Sequence, residues 1–208
     1  MLPKMYYISQ GKNADEHLTN ISNVLKNGIR LIQLRMKDCS AEEYIATAIK
    51  AREITKTYNG ILIINDNLDV ALACNADGLH LGLNDLSVTA ARKVLGVNKI
   101  IGGTANTLAD VLHRIEEGAD YIGLGPYRFT TTKKNLSPVL GIYGYKMILN
   151  HKNVMGVKPV YAIGGIEVND LNALLDAGVY GVAASGMMTD TNSMQELIEF
   201  MKEEEIVC

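Results

Sequence analysis

The sequence predicts an α/β fold, a single (β/α)8 TIM barrel in which eight parallel strands alternate with helices. Two observations carry this prediction. Short β-rich segments recur eight times along the 208 residues, and a helical or turn-rich segment follows each of them. Glycine or a substitute closes each helix before the next strand, as at Gly28 and Gly178. A chain of this length suffices for one domain with a substantial core, so we expect one domain over residues 1–208.

The predicted strands are rich in apolar and β-branched residues and end in polar or glycine residues. In chain order they cover residues 5–9, 29–35, 61–65, 79–82, 99–104, 121–125, 160–163 and 179–185. Eight strands with a connection after each favour a closed parallel barrel. A doubly wound open sheet is the competing architecture, because counting strands does not by itself show closure.

The helices between the strands carry their own start signals and apolar stripes. Ser40 and Glu43 have the spacing of a capping box, and so do Thr107 and Asp110. Apolar residues at positions i, i+3 and i+4 give a helix one face to bury. Two such sets are Leu171, Leu174 and Leu175, and Met194, Leu197 and Ile198. We assign both sets to the core.

Composition narrows the class of partner to small-molecule substrates. The formal net charge is −3, with no long run of like charge, so no nucleic acid and no membrane surface is expected as a partner. Three cysteines without metal-like spacing indicate a reducing compartment. The chain starts without the apolar region of a signal peptide and lacks an apolar run long enough for a membrane span, so a cytoplasmic location is expected. The oligomeric state stays open, with a homo-oligomer as one outcome.

Polar side chains at strand ends matter because the active site of a TIM barrel lies at the carboxyl ends of its strands. Alternation along the second predicted strand places Gln33, Arg35 and Lys37 on one side. Two cations directed into a barrel mouth require an anion there. An exposed edge strand would explain the same alternation, but a closed barrel has no edges.

Two carboxylates follow neighbouring strands. Asp66 comes directly after the third strand, and Asp85 lies in the loop after the fourth. Carboxylate oxygens facing a phosphate are the hard ligands that Mg²⁺ uses. The alternative is that both residues cap helices, a role that Asp69 fits better.

Donors for anionic oxygens follow the fifth and sixth strands. Thr104 ends the fifth strand, and the loop after the sixth carries Thr130, Thr132 and Lys133. Taken alone, this loop would more often be a solvated surface loop. Together with the cations of the second strand, it indicates a site for a polyanion.

A second anion site is predicted after the last two strands. Backbone amides at Gly164, Gly165 and residues 184–186 have the position of the phosphate site that recurs in TIM barrels after strands 7 and 8. Two phosphorylated substrates, or one large bis-phosphate, would fill both sites. No side chain has the features of a strong nucleophile or general base, and we expect His80 to be packed and hydrogen-bonded. A reaction in which a metal and cations assist the departure of a leaving group needs neither a protein nucleophile nor a general base.

Taken together, the motifs resemble the thiamine phosphate synthase family over most of the chain. They are Gln-Leu-Arg-Met-Lys at 33–37, Ile-Asn-Asp at 64–66, Ala-Asp-Gly-Leu-His-Leu-Gly-Leu-Asn-Asp at 76–85, Gly-Ala-Asp-Tyr-Ile-Gly-Leu-Gly-Pro at 118–126, Thr-Thr-Thr-Lys at 130–133 and Ala-Ile-Gly-Gly-Ile at 162–166. The resemblance implies a Mg²⁺-dependent transferase that couples 4-amino-5-hydroxymethyl-2-methylpyrimidine pyrophosphate with hydroxyethylthiazole phosphate. Its products would be thiamine phosphate and pyrophosphate.

The resemblance also implies a role for each matching residue. Gln33 would hold the pyrimidine, and Asp66 and Asp85 would bind Mg²⁺. Thr130 and Thr132 would line the reacting region. The pyrophosphate would be bound, and its departure assisted, by Arg35, Lys37, Asn65, Thr104 and Lys133. The thiazole phosphate would be bound by Gly165, Ala184 and Ser185.

Some positions differ from the family pattern, and two alternative functions compete with that of the synthase. Asn67, Leu83 and Arg128 stand where Arg, Gln and Phe are usual. The related thiazole tautomerase uses a histidine base, but residues 104–107 contain no histidine. A non-catalytic barrel that binds a thiamine precursor would not need the cations and carboxylates of a pyrophosphate site.

We also expect the loop 127–140 to close over the pyrophosphate.

Overall fold

The strands close into a parallel barrel in sequence order. The computed structural model describes residues 1–130 and 138–207. The strands are β1 Met5–Ile8, β2 Leu31–Leu34, β3 Ile61–Asn65, β4 Gly78–Leu81, β5 Ile100–Ala105, β6 Tyr121–Leu124, β7 Val160–Ile163 and β8 Gly181–Ala184. Closure is made by β1 and β8, which pair in register Tyr6↔Ala183. The TIM barrel prediction is confirmed, and the doubly wound open sheet is wrong.

Two predicted strands, the second and the eighth, exceed the observed ones by three residues each. β2 stops before Arg35, whose backbone N–H donates to Ser9 Oγ at 3.0 Å instead of to a neighbouring strand. β8 begins after Val179, whose N–H bonds back to the carbonyl of Leu174 at 3.1 Å and so belongs to the preceding helix end. In both places the backbone bonds outside the ladder, which a pattern of apolar residues does not reveal.

Helices cover the outside of the barrel. They are α1 Ala14–Lys26, α2 Ala41–Thr57, α3 Leu68–Ala73, α4 Val88–Leu95, α5 Leu108–Glu116, α6 Gly141–Leu149, α7 Leu171–Asp176, α8 Gly186–Thr189 and α9 Thr191–Val207, with a 3-10 turn at Val168–Asp170. Ser40 caps α2, and Thr107 forms the expected capping box with Asp110. Within the described residues, no helix combines the length and apolar character needed to cross a membrane.

The core has two layers. Outward-facing strand residues pack against the helices, and the predicted stripe residues Leu171, Leu174, Met194 and Leu197 are buried in that layer. The barrel interior holds a separate cluster that includes three tyrosines. The rings of Tyr6, Tyr121 and Tyr161 meet edge to face, with their centroids 5.5 or 5.6 Å apart. Aromatic rings thus fill the space enclosed by the strands.

Gly102 makes room for one of these rings. A Cβ added at Gly102 would lie 2.0 Å from Cζ of Tyr121. Because both residues are buried inside a closed barrel, neither the ring nor the strand can move aside freely. Glycine is therefore required at this position by packing.

We expect Gly102→Ala to destabilise the fold by about 1–3 kcal/mol or more, the usual cost of overpacking a core. Denaturant unfolding followed by circular dichroism measures it. Gly186→Ala is the matched control, since an added Cβ there meets nothing within 4 Å. Equal stabilities of the two variants would contradict the packing argument.

Candidate functional site

A cation and two carboxylates meet at the carboxyl ends of β2, β3 and β4. Lys37 Nζ donates to Asp66 Oδ2 at 2.7 Å, and their side chains are 50% and 31% exposed. The carboxyl groups of Asp66 and Asp85 lie close enough to shift each other's pKa. Asp85 Oδ2 also accepts from the N–H of Gly82 at 2.6 Å. The structure thus brings together three of the predicted site residues.

The two carboxyl groups respond differently to this contact. Burial by itself raises the pKa of Asp66, but hydrogen bonds from Lys37 and Asp85 outweigh it and hold the pKa below its usual value. Burial and the neighbouring Asp66 raise the pKa of Asp85. The contact therefore moves the pKa values of the two carboxyls apart. A divalent cation would interact favourably with both carboxylates, so the donor set fits Mg²⁺.

Neither aspartate caps a helix. Asn67 caps α3 by accepting from the N–H of Val70 at 3.0 Å. Ser87 caps α4 by accepting from the N–H of Ala90 at 3.2 Å. The expectation that Asp69 suits the capping role was also wrong, since it lies in the first turn of α3. The departure at Asn67 is explained, because its amide oxygen does the capping.

The floor of the mouth is formed by polar side chains that face the barrel interior. Gln33 is 2% exposed, and its Nε2 donates to the hydroxyl of Tyr6 at 2.6 Å. His80 is buried, with Nε2 3.0 Å from Thr104 Oγ1, in agreement with the expectation of a packed histidine. Asn65 is also buried at the end of β3. Gln33 and Thr104, which are predicted to contact different parts of one substrate, lie on β2 and β5.

Arg35 offers the mouth an unengaged cation. Its side chain is half-buried, and in the described part of the chain its guanidinium has no hydrogen bond or ion pair. The backbone N–H of Arg35 is held by Ser9 Oγ, which in turn lies 2.8 Å from Nδ1 of His17. Burial lowers the pKa of His17, and the charge of Arg35 also acts in that direction. The backbone of Arg35 is therefore held in place, while the charge of its guanidinium stays available to a ligand.

The residues of the second predicted anion site lie in the loops after β7 and β8. Gly164 and Gly165 have φ values of 92° and 65°, which strain a residue with a side chain. Ala184 ends β8, and Ser185 Oγ donates to Oε1 of Gln10 at 3.0 Å. The sequence analysis did not predict this role of Gln10. Its position as a polar residue just past the first strand could have indicated it.

Arg128 connects the loops after β6 and β7. Its guanidinium donates to both carboxylate oxygens of Asp170, at 2.8 and 2.9 Å, and to the carbonyl of Gly165 at 2.8 Å. It also lies over the ring of Tyr127, 5.4 Å from the centroid. Arg128, which stands where the family usually has Phe, therefore has a structural role next to Gly165. Sequence reasoning did not find it, because its partner is distant in the chain.

The remaining site predictions concern the loop after β6. Thr130 is half-buried just beyond Arg128. Thr132 and Lys133 lie outside the described residues, so their predicted roles stay predictions. The same holds for closure of the loop 127–140.

A closed parallel barrel with paired carboxylates and cations at its carboxyl mouth defines a TIM-barrel enzyme for phosphorylated substrates. A family model described as thiamine monophosphate synthase matches residues 5–188. The thiamine-phosphate synthase of Flavobacterium psychrophilum is 46% identical over 199 residues, covering 95% of this chain and 97% of that protein. The one from Bacteroides fragilis is 46% identical over 187 residues, covering 89% and 91%.

A solved structure agrees with these relatives. The thiamine phosphate pyrophosphorylase from Pyrococcus furiosus superposes with a TM-score of 0.83 at 29% identity, covering 96% of each chain. The chain therefore belongs to the thiamine monophosphate synthase family, as its motifs indicated.

We expect Arg128→Ala to lower the free energy of unfolding by about 1 kcal/mol, because Asp170 loses two charged hydrogen bonds. The arginine side chain is 43% exposed, so solvent screening keeps the effect small. Arg128→Lys should recover only part of the loss, since an ammonium does not bridge both oxygens in one plane. Urea unfolding measures the effect.

Glu167→Gln provides the control for this pair. Glu167 lies 3.4 Å from the same guanidinium but its side chain is 70% exposed, so we expect almost no change. If Glu167→Gln cost as much as Arg128→Ala, the loop would depend on general charge balance and not on the Asp170 contact.

Proposed function

We propose that the chain, as one catalytic domain over residues 1–208, couples 4-amino-5-hydroxymethyl-2-methylpyrimidine pyrophosphate with hydroxyethylthiazole phosphate. The products are thiamine phosphate and pyrophosphate. Membership in the synthase family supports the overall reaction. The observation that carries the residue-level proposal is the contact of Lys37 with the Asp66–Asp85 pair, since a cation beside paired carboxylates suits a metal-bound pyrophosphate.

The reaction proceeds by dissociative substitution. The bond between the pyrimidine methylene carbon and the pyrophosphate oxygen breaks, and its electron pair leaves with the pyrophosphate. The lone pair of the thiazole nitrogen then forms the new carbon–nitrogen bond. No proton is transferred in this sequence, so the protein needs no general base. This suits a site whose buried histidine, His80, is engaged by neighbouring hydroxyls.

The catalytic demand is stabilisation of the charge that develops on the leaving group. Arg35 and Lys37, which follow β2, approach the leaving pyrophosphate. The hydroxyl of Thr104 on β5 donates a hydrogen bond to it. Mg²⁺, held by Asp66 and Asp85, would neutralise part of that charge. The remaining contacts to pyrophosphate come from Asn65 and Lys133.

The two organic groups bind between these charges and the second anion site. Gln33 holds the pyrimidine at the floor of the mouth. Thr130 and Thr132 line the reacting region, and the thiazole phosphate is bound at Gly165, Ala184 and Ser185. The positive φ of Gly165 supports this assignment, because a side chain at that position is strained and glycine leaves the backbone amides open. The cytoplasmic location and a homo-oligomeric state stay predictions.

The tautomerase rival finds no support in the described histidines. A base must reach a proton on the substrate. His80 is 5% exposed, and both of its ring nitrogens lie 3.0 Å from side-chain hydroxyls. The family relationship to synthases likewise counts against a non-catalytic binding protein.

We expect Asp66→Ala to reduce kcat by about 100-fold or more, equal to about 3 kcal/mol of lost transition-state stabilisation. The assay is release of pyrophosphate and formation of thiamine phosphate with both substrates and Mg²⁺. Removing Mg²⁺ with a chelator should reduce wild-type turnover by a similar factor.

Asp69→Ala is the matched control for this assay. Asp69 is an exposed carboxylate in the first turn of α3 and carries no predicted site role, so its removal should leave kcat within about two-fold. Isomerisation of the thiazole phosphate without pyrophosphate release by the wild type would favour the tautomerase. A metal-independent rate would exclude the role assigned to Asp66 and Asp85.

A further inference from the structure

A charged side chain from an outer helix reaches the carboxyl ends of two strands. Arg114 lies on α5 and is only 4% exposed. Its Nη2 donates to the carbonyl of Gly82 at 2.8 Å, and its Nε donates to the carbonyl of Thr104 at 3.1 Å. One guanidinium therefore bonds to the backbone just after β4 and to the backbone near the end of β5.

These two carbonyls lie where the pairing between β4 and β5 stops. Leu81 and Gly103 are the last paired residues of the two strands. Gly82 and Thr104 are the residues that follow them in the chain. The guanidinium thus bridges the two strands at the point where their own ladder ends.

The carbonyl of Gly82 belongs to the turn that carries Asp85. It also accepts from the backbone N–H of Asp85 at 3.3 Å, while the N–H of Gly82 donates to Asp85 Oδ2 at 2.6 Å. Gly82 and Asp85 are therefore joined by two hydrogen bonds, and Arg114 holds the carbonyl that takes part in one of them. A donor fixed at this carbonyl limits how far the turn, and with it the carboxylate, can move.

A carboxylate at the end of the same helix holds the arginine in this place. Nη1 of Arg114 donates to Oε2 of Glu117 at 2.7 Å, and the two side chains are 5% and 8% exposed. A buried ion pair can often be replaced by apolar residues of similar volume without loss of stability. Packing of α5 by itself thus gives no reason for a charge here, whereas two backbone carbonyls at the mouth do.

Gly103 leaves the space that the arginine side chain occupies. A Cβ added at Gly103 would lie 2.6 Å from Cδ and 2.8 Å from Nε of Arg114. Because the arginine is buried and all three of its side-chain nitrogens are bonded, it cannot move away without losing a contact. The glycine and the arginine therefore fit each other as a pair.

We propose that Arg114 is a positioning residue for the metal-binding end of the mouth, acting through the carbonyls of Gly82 and Thr104. It fixes the turn that presents Asp85 and the strand end that presents the hydroxyl of Thr104. This inference rests on the proposed function, in which Asp85 binds Mg²⁺ and Thr104 binds pyrophosphate. With its guanidinium buried against the backbone, Arg114 acts on the ligands only through these two residues.

The first test measures the turn in the metal-free protein. In Arg114→Lys the ammonium can still pair with Glu117, but it lacks the planar arrangement of donors that reaches both carbonyls. We expect the N–H groups of Gly82 and Asp85 to exchange with deuterium about ten-fold faster or more, the effect of losing a hydrogen bond to a charged group. NMR measures this exchange, and unchanged rates at these two amides would overturn the proposal.

The second test measures what the turn does for the ligands. Arg114→Lys should weaken the binding of Mn²⁺, used in place of Mg²⁺ with inorganic pyrophosphate, by about ten-fold in electron paramagnetic resonance titrations. The value of kcat/KM for the pyrimidine pyrophosphate should fall by a similar factor. KM for the thiazole phosphate should stay unchanged, because its proposed site follows β7 and β8. Wild-type binding of Mn²⁺ by Arg114→Lys would overturn the proposal.

Gly103→Ala disturbs the same contacts from the strand. The added Cβ should displace the arginine, so we expect faster exchange at Gly82 and Asp85 and weaker binding of Mn²⁺, as in Arg114→Lys. Circular dichroism checks that the variant is folded. A folded Gly103→Ala with wild-type exchange and wild-type binding of Mn²⁺ would contradict the proposed route through Arg114.

Glu117→Gln is the matched control. It removes the charge of the buried partner, while the glutamine oxygen can still accept from Arg114 and both carbonyl contacts are left in place. Urea unfolding should show a loss of stability, because the buried arginine loses its counter-charge. Exchange at Asp85, binding of Mn²⁺ and the kinetic constants should stay within about two-fold of the wild type.

The outcomes separate this inference from the proposed function. If Glu117→Gln changed exchange and metal binding as much as Arg114→Lys, the effect would reflect the stability of α5, and the positioning role would be wrong. If the wild type formed no thiamine phosphate, the proposed function would fail. The exchange measurement would then still decide whether Arg114 fixes the turn that carries Asp85.

Discussion

The need to pair buried hydroxyls inside the barrel is the constraint on which the site depends. Large rings fill the interior, and each brings a phenolic group that is costly to bury without a partner. The hydroxyl of Tyr161 bonds to the carbonyl of Pro3, near the start of the chain. The hydroxyls of Tyr6 and Tyr121 instead bond to Gln33 and His80, at the level of the mouth. Packing of the core therefore determines the orientation of polar groups that a ligand meets.

Closure of the barrel supplies the second element of the site. Because β3 and β4 pair in register Ile63↔Gly78, the loops that follow them are neighbours, and Asp66 and Asp85 come into contact. Two carboxylates in contact repel each other when both are ionised. The ammonium of Lys37, which is bonded to Asp66, offsets part of that repulsion in the free protein, and the pKa of Asp85 is raised. The site is thus arranged to favour any cation that satisfies both aspartates.

The sequence allowed the fold and part of the site to be predicted, for reasons that particular residues show. Asp66 and Asp85 were expected to meet because consecutive strands of a barrel are adjacent. The bond between Tyr6 and Tyr121 joins residues 115 positions apart and leaves no local signal. Asn67 was not expected to cap α3, since Asp69 has an equal propensity for that position and only backbone geometry separates them.

The cap at Asn67 also explains how the chain presents Asp66. Asp66 has a φ of 61°, a left-handed conformation that is uncommon for a residue with a side chain. Such a conformation persists where its surroundings impose it. Its N–H is held by the carbonyl of His80 at 2.8 Å, and Asn67 begins α3 directly afterwards. The backbone on both sides of Asp66 is thereby constrained, so the carboxylate is directed toward Lys37 and Asp85 before any ligand binds. A residue at position 67 that could not cap the helix would loosen this turn without touching the metal ligands.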